Sequence, residues 1–178
     1  MVTCHLIDWH CGSLKNVTRS TFTSELQAAI MSTDHGLALQ LTLHESRCGP
    51  TTPRQGMEIR EKGGSQIKHT VVVDAMPILA ALEPERIKAP TEQSLISHLL
   101  WLREIVDRRI MDALNWRDTR DMTADGHTKG CIDRKAINEV ASGVLQSSYE
   151  GKILSPRVIM KETKDIVHHC ELLHFTQN

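Results

Sequence analysis

The sequence has no apolar run approaching the ~18 residues that a membrane-spanning helix needs, and its first residues lack the basic-then-apolar order of a signal peptide. Excess positive charge is also missing: 21 Lys and Arg stand against 22 Asp and Glu, giving a net charge of −1 and a pI of about 6.8. Without a global basic field, nucleic acid or an acidic membrane would have to be met through a local patch. Cys4, Cys11, Cys48, Cys131 and Cys170 are odd in number and show no C-x-x-C spacing. That pattern argues against a disulfide framework or a zinc site and for a reducing compartment. Internal repeats and low-complexity segments are absent. What remains is a chain of 178 residues, 40% hydrophobic and 24% charged, suited to one globular domain with a real core.

The most informative stretch is Thr70-Val71-Val72-Val73-Asp74-Ala75-Met76-Pro77. Three successive valines are too short a run for a helix and favour a pleated strand covered on both faces. Asp74 falls where that strand ends. In open α/β sheets the crevice outside the carboxyl ends of the strands is where ligands bind. Taken alone, Asp74 is the natural N-cap of the helix that Pro77 helps to begin.

In chain order, Thr3 to Trp9 is expected to be a strand. Ser20 or Thr21 caps a helix running to about Leu43, with Phe22, Leu26, Ala29, Ile30, Leu37 and Leu41 recurring at three- and four-residue steps and Gly36 as a weak point inside it. Glu25 lies near the start of this helix, where a negative charge is favourable in any case. Ser46 to Gln66, rich in Gly and Pro, reads as a long loop with a short helical piece around Met57 to Glu61. A short helix follows over Met76 to Leu82. From Thr91 a strong amphipathic helix carries Leu95, Leu99, Leu102 and Val106 on one stripe, with Glu104, Asp107, Arg108 and Arg109 on its wet side. Ile110 to Trp116 is a second strand, parallel to the first, with that helix in the crossover. Asp133 to Val140 is expected to be helical, Tyr149 to Ser155 a loop, and Arg157 to Asn178 a strand plus helix or a tail. The expected organisation is a domain over 1–143 with a loop insertion at about 46–66, then an extension over 144–178.

Glu25, Asp74 and Asp125 come from separate elements that would meet at one sheet edge. Such clustering suits divalent-metal phosphoryl chemistry, because Mg²⁺ prefers a few carboxylate oxygens and keeps several waters. The segments around them resemble the RNase H domain of copia-type retrotransposon polyproteins. Ile7-Asp8-Trp9 through Arg19-Ser20-Thr21 and Ser24-Glu25-Leu26-Gln27-Ala28-Ala29 are similar to the family's tryptophan strand and the helix bearing its second acid. Val72-Val73-Asp74 with Ala80-Ala81-Leu82 is similar to the strand and helix of the third. Leu114-Asn115-Trp116, Thr119-Arg120-Asp121 and Ala124-Asp125-Gly126-His127-Thr128-Lys129-Gly130 resemble its last strand and acidic helix start.

The resemblance implies an α/β, RNase H-like mixed sheet flanked by helices, with Glu25, Asp74 and Asp125 as catalytic acids holding Mg²⁺ or Mn²⁺. It further implies hydrolysis of the RNA strand of an RNA–DNA hybrid, with an upstream reverse-transcriptase domain as the neighbour. The family also uses an acid on its first strand. Only Met1 and Val2 precede Thr3, so the first strands are expected to be missing and the activity impaired, with Asp8 the one candidate substitute. The alternative is a non-catalytic retroelement remnant acting as a nucleic-acid or protein interaction module. Among the other candidates, His127 reads as a surface histidine rather than a general base. His168-His169-Cys170 with His174 reads as an amphipathic tail rather than a metal site. Arg103, Arg108, Arg109, Arg117 and Arg120 are candidates for a phosphate backbone.

Overall fold

A computed structural model of the chain describes residues 2–8, 18–87, 90, 92–122, 135–145 and 151–157. The valine run forms a strand, β2 (Thr70–Val73), and the next helix keeps the expected bounds, α3 (Met76–Leu82). Val71 and Val73 are buried while Thr70 and Val72 are exposed, so β2 alternates and is covered on one face rather than two. Its parallel neighbour is β3 (Ala113–Arg117), in the register Thr70↔Ala113 to Val73↔Trp116. The crossover carries a 3₁₀ turn, Gln93–Leu95, and α4 (Ile96–Asp107). Leu95, Leu99, Leu102, Ile105 and Val106 are all buried, which makes α4 the amphipathic helix that the spacing predicts.

The expected start of β3 at Ile110 is three residues early. Arg109 takes a left-handed φ of 57° after α4, and the Ile110 and Met111 N–H groups donate back to the Ile105 carbonyl at 3.0 and 3.2 Å. Both residues are buried by this turn. A helix C-terminus with a residue in the left-handed region thus accounts for an apolar pair that looked like strand.

The longest element is α1 (Thr21–Cys48), capped by Ser20, whose side chain accepts from the Thr23 N–H at 3.2 Å. It passes Leu43 and continues straight through Gly36. A Cβ at that position would lie 2.2 Å from Nε2 of His69, so the glycine permits close approach of helix and strand rather than weakening the helix. The buried stripe of α1 mixes apolar residues with Thr23, Thr33, Gln40 and His44. The last two are satisfied by the chain entering β2: Gln40 donates to the Ile67 carbonyl at 2.6 Å, and His44 Nδ1 accepts from the Gln66 N–H at 3.1 Å.

Three expectations need correction here. In the stretch Ser46 to Gln66, expected as a loop with a short helical piece around Met57 to Glu61, the helix is longer, α2 (Pro53–Lys62), ten residues long and begun by a reciprocal capping box between Thr52 and Gln55 with Pro53 at its start. Among the described N-terminal residues, strand structure is confined to β1 (Val2–Thr3), which pairs antiparallel with β4 (Val144–Leu145) in a separate two-stranded sheet, and residues 4–8 have no regular structure. Trp9 lies outside the described residues. The supposed loop over Tyr149 to Ser155 holds β5 (Gly151–Leu154), which pairs antiparallel with β3 and gives the main sheet the order β2-β3-β5. A further helix, α5 (Lys135–Ala141), overlaps the expected Asp133 to Val140 region and ends one residue past it.

The result is a mixed α/β arrangement with a small three-stranded mixed sheet flanked by helices. Leu26, Ile78, Leu79, Leu82, Leu99 and Leu114 are at most 1% exposed and form its core.

Candidate functional site

Glu25 sits in the second turn of α1, just past the Ser20 cap and beside the fully buried Leu26. The leucine stripe fixes which way that turn faces. Thr23, also buried, donates to Glu92 Oε2 at 3.3 Å and so ties the helix start to the approach of α4. Asp74 follows the last residue of β2. It does not cap α3, whose N-cap is Ala75 with no side-chain hydrogen bond, and the bland reading of this aspartate therefore fails.

The two carboxylates influence one another electrostatically. Glu25 is half-buried, and its pKa is raised above the ordinary carboxylate value, first by burial and then by the negative charge of Asp74. Like charges brought together without a counterion disfavour ionisation. The indole N–H of Trp116 donates to the Asp74 carbonyl at 2.8 Å, holding the end of β3 against the turn that carries the aspartate. Trp116 was not foreseen as a site residue. The signal was present, since two parallel strands in the register Val73↔Trp116 place the tryptophan beside the end of β2.

Asp125, His127 and the His168–His174 group lie outside the described residues. Asp8 is described, and it does not join the pair. Its carboxylate is 2.8 Å from Nε2 of His35, a residue roughly 15 Å further along α1 than Glu25 at ~1.5 Å of rise per residue. The arginines divide. Arg103 is 4% exposed and bound to Asp107, so it cannot face a phosphate backbone, and neither residue belongs to a wet face. Arg108 pairs with Glu104 at 2.8 Å, and Arg120 pairs with Asp118 at 2.8 Å.

Chemically, the site offers two half-buried carboxylates from separate elements at the carboxyl end of a parallel strand pair. Mg²⁺ is commonly held by one or two carboxylates with water completing its octahedron, and Glu25 and Asp74 are the residues here that would supply such oxygens. Among the described residues no group of three or more His, Cys, Asp or Glu side chains is placed to hold a metal ion. Fold and site together define a mixed α/β domain with an acidic pair at its sheet end. No protein-family model, curated protein or solved structure matches the chain.

Proposed function

We propose that the chain is an RNase H-like domain of copia-type retroelement descent, hydrolysing the RNA strand of RNA–DNA hybrids with Mg²⁺ or Mn²⁺ held at Glu25 and Asp74. One observation carries this reading. Asp74 stands at the carboxyl end of β2, its carbonyl bound by the Trp116 indole, and its charge adds to burial in raising the pKa of Glu25, 49 positions away in sequence. The parallel β2–β3 pair with α4 in its crossover agrees with the same ancestry. The metal would supply an activated water and stabilise the leaving oxygen. Asp125 is proposed as a third ligand on the family resemblance alone.

A site with two placed acids is expected to be weak. Misplacing one ligand removes several kcal/mol of transition-state stabilisation, on the order of a thousand-fold in rate. The second reading, a non-catalytic interaction module, draws on the edge of β2 that carries no strand among the described residues and on the exposed Val72 beside it. A labelled hybrid incubated with the chain in Mg²⁺ or Mn²⁺, beside its Asp74→Asn variant, separates the two. Slow metal-dependent cleavage that the variant loses supports the nuclease. Absence of cleavage, together with no effect of Mg²⁺ on the Glu25 titration, overturns it in favour of the interaction module.

A further inference from the structure

We propose that residues His5 to Asp8 form a strap that closes on the free edge of β2 as a fourth strand of the main sheet, held there by the Asp8–His35 contact. β2 pairs with β3 on one side, and among the described residues its other edge carries no strand. Alongside that edge runs a groove of about 610 Å³ between α1 and β2. Met31, Leu39, Leu43 and Val72 line it, and Asp8 stands at its rim. The close approach of Gly36 to His69 sets neighbouring His35, and with it Asp8, level with the entry to β2.

The residues before Asp8 are suited to the edge. His5, Leu6 and Ile7 are exposed and outside any regular element. Leu6 is 55% and Ile7 62% exposed, and on the receiving side Met31 is 53% and Val72 44% exposed. In a strand, successive side chains point to opposite faces. One of the two apolar residues would therefore enter the groove while the other lay on the opposite face of the sheet. Four residues, His5 to Asp8, match the four of β2. The unpaired backbone groups of an edge strand supply the hydrogen-bonding template.

A second copy of the chain could present a strand to the same edge, but the tether decides for the strap. The Cys4 N–H is bonded to the Gly143 carbonyl at 3.0 Å on one side, and Asp8 to His35 on the other. A segment held this way competes at an effective concentration of about millimolar, far above that of a separate molecule at micromolar protein. Closing the strap also removes an association-prone edge.

The test is amide hydrogen exchange on the full chain, comparing wild type with Asp8→Ala and Ile7→Asp. The expected result is protection of those β2 amides that point away from β3. Both variants should exchange roughly tenfold faster there, with the amides of β3 and α4 unchanged as the control for folding. Rapid exchange of the outward β2 amides in wild type overturns the proposal. So does protection that survives both substitutions, and so does protection that grows with protein concentration, which would assign the edge to a second copy.

Discussion

Arg103 and Asp107, one turn apart on α4, form a two-pronged ion pair beneath the surface: Nε donates to Oδ2 at 3.0 Å and Nη2 to Oδ1 at 2.5 Å. The pair reaches beyond its helix. Arg103 also donates to the Ser155 carbonyl at 3.2 Å, and Asp107 accepts from the Arg157 N–H at 2.9 Å. The Arg157 guanidinium in turn donates to the carbonyls of Leu82 and Pro84 at 3.3 and 2.7 Å. The segment following β5 is thereby fastened to α4 and to the end of α3. Breaking a buried pair by removing one partner is expected to destabilise the fold by about 3–5 kcal/mol. Arg103→Ala should therefore lower the urea midpoint markedly. Arg103→Met, combined with Asp107→Leu, should recover much of the loss because no uncompensated charge remains.

Gly36→Ala should also destabilise, although alanine favours a helix interior by about 1 kcal/mol. The added Cβ would fall 2.2 Å from Nε2 and 2.8 Å from Cε1 of His69, and His69 is held in place. Its backbone N–H donates to Asp112 Oδ2 at 2.8 Å while its carbonyl accepts from the Asp112 N–H at 2.8 Å. Overpacking of this kind costs about 1–3 kcal/mol. In a double-mutant cycle His69→Ala should cancel most of the effect of Gly36→Ala. Additive losses would mean that helix and strand part freely.

Burial lowers the pKa of His69, with the Asp112 charge opposing more weakly. The folded protein therefore takes up this proton at a lower pH than the unfolded chain. The associated stability is complete above the unfolded value of about 6.5 and declines as pH falls through it towards the folded pKa. Denaturant midpoints measured between pH 7.5 and 5 should drop more steeply for the wild type than for His69→Gln. Parallel profiles would assign the acid sensitivity elsewhere.

At the acidic pair, carboxyl titration followed by NMR should place Glu25 above the ordinary range. Asp74→Asn should bring it down in part but not fully, because burial is the larger cause and the Asp74 charge the smaller. Mg²⁺ at millimolar concentration should depress the Glu25 titration in the wild type and do so less in the variant. A Glu25 titration indifferent to Asp74 would dissolve the pair.

How far the sequence revealed the fold depended on how local the cause was. β2 and α3 emerged with their observed bounds because β-branched valines and Pro77 act within a few residues. The parallel β2–β3 pair was legible because a long amphipathic segment lay between them. Only the second half of α2 was legible, as a helical piece around Met57 to Glu61; its start was hidden in a Gly- and Pro-rich stretch, although Thr52-Pro53-Arg54-Gln55 spells a capping box. β5 has one buried residue, Leu154, after three exposed ones, Gly151, Lys152 and Ile153, so no alternation announces it. Only its pairing with β3 makes it a strand. Asp107 looked solvated from its position on the helix, and nothing local signals the chain that arrives from Ser155 to cover it. Of the three acids read from the sequence, Asp74 adds to the raised pKa of Glu25, and Asp125 lies outside the described residues.

The order β2-β3-β5 also imposes a schedule on synthesis. Once Arg117 has emerged from the ribosome, β2, α3, α4 and β3 can assemble, since everything that pairs or packs among them is already made. The other edge of β3 then waits, and so do Arg103 and Asp107, whose covering carbonyl and amide belong to Ser155 and Arg157. Until those residues appear, the nascent domain holds a half-dressed charge pair beside an open strand, the kind of intermediate that association and chaperones compete for. A chain stopped short of Arg157 would carry that exposure permanently.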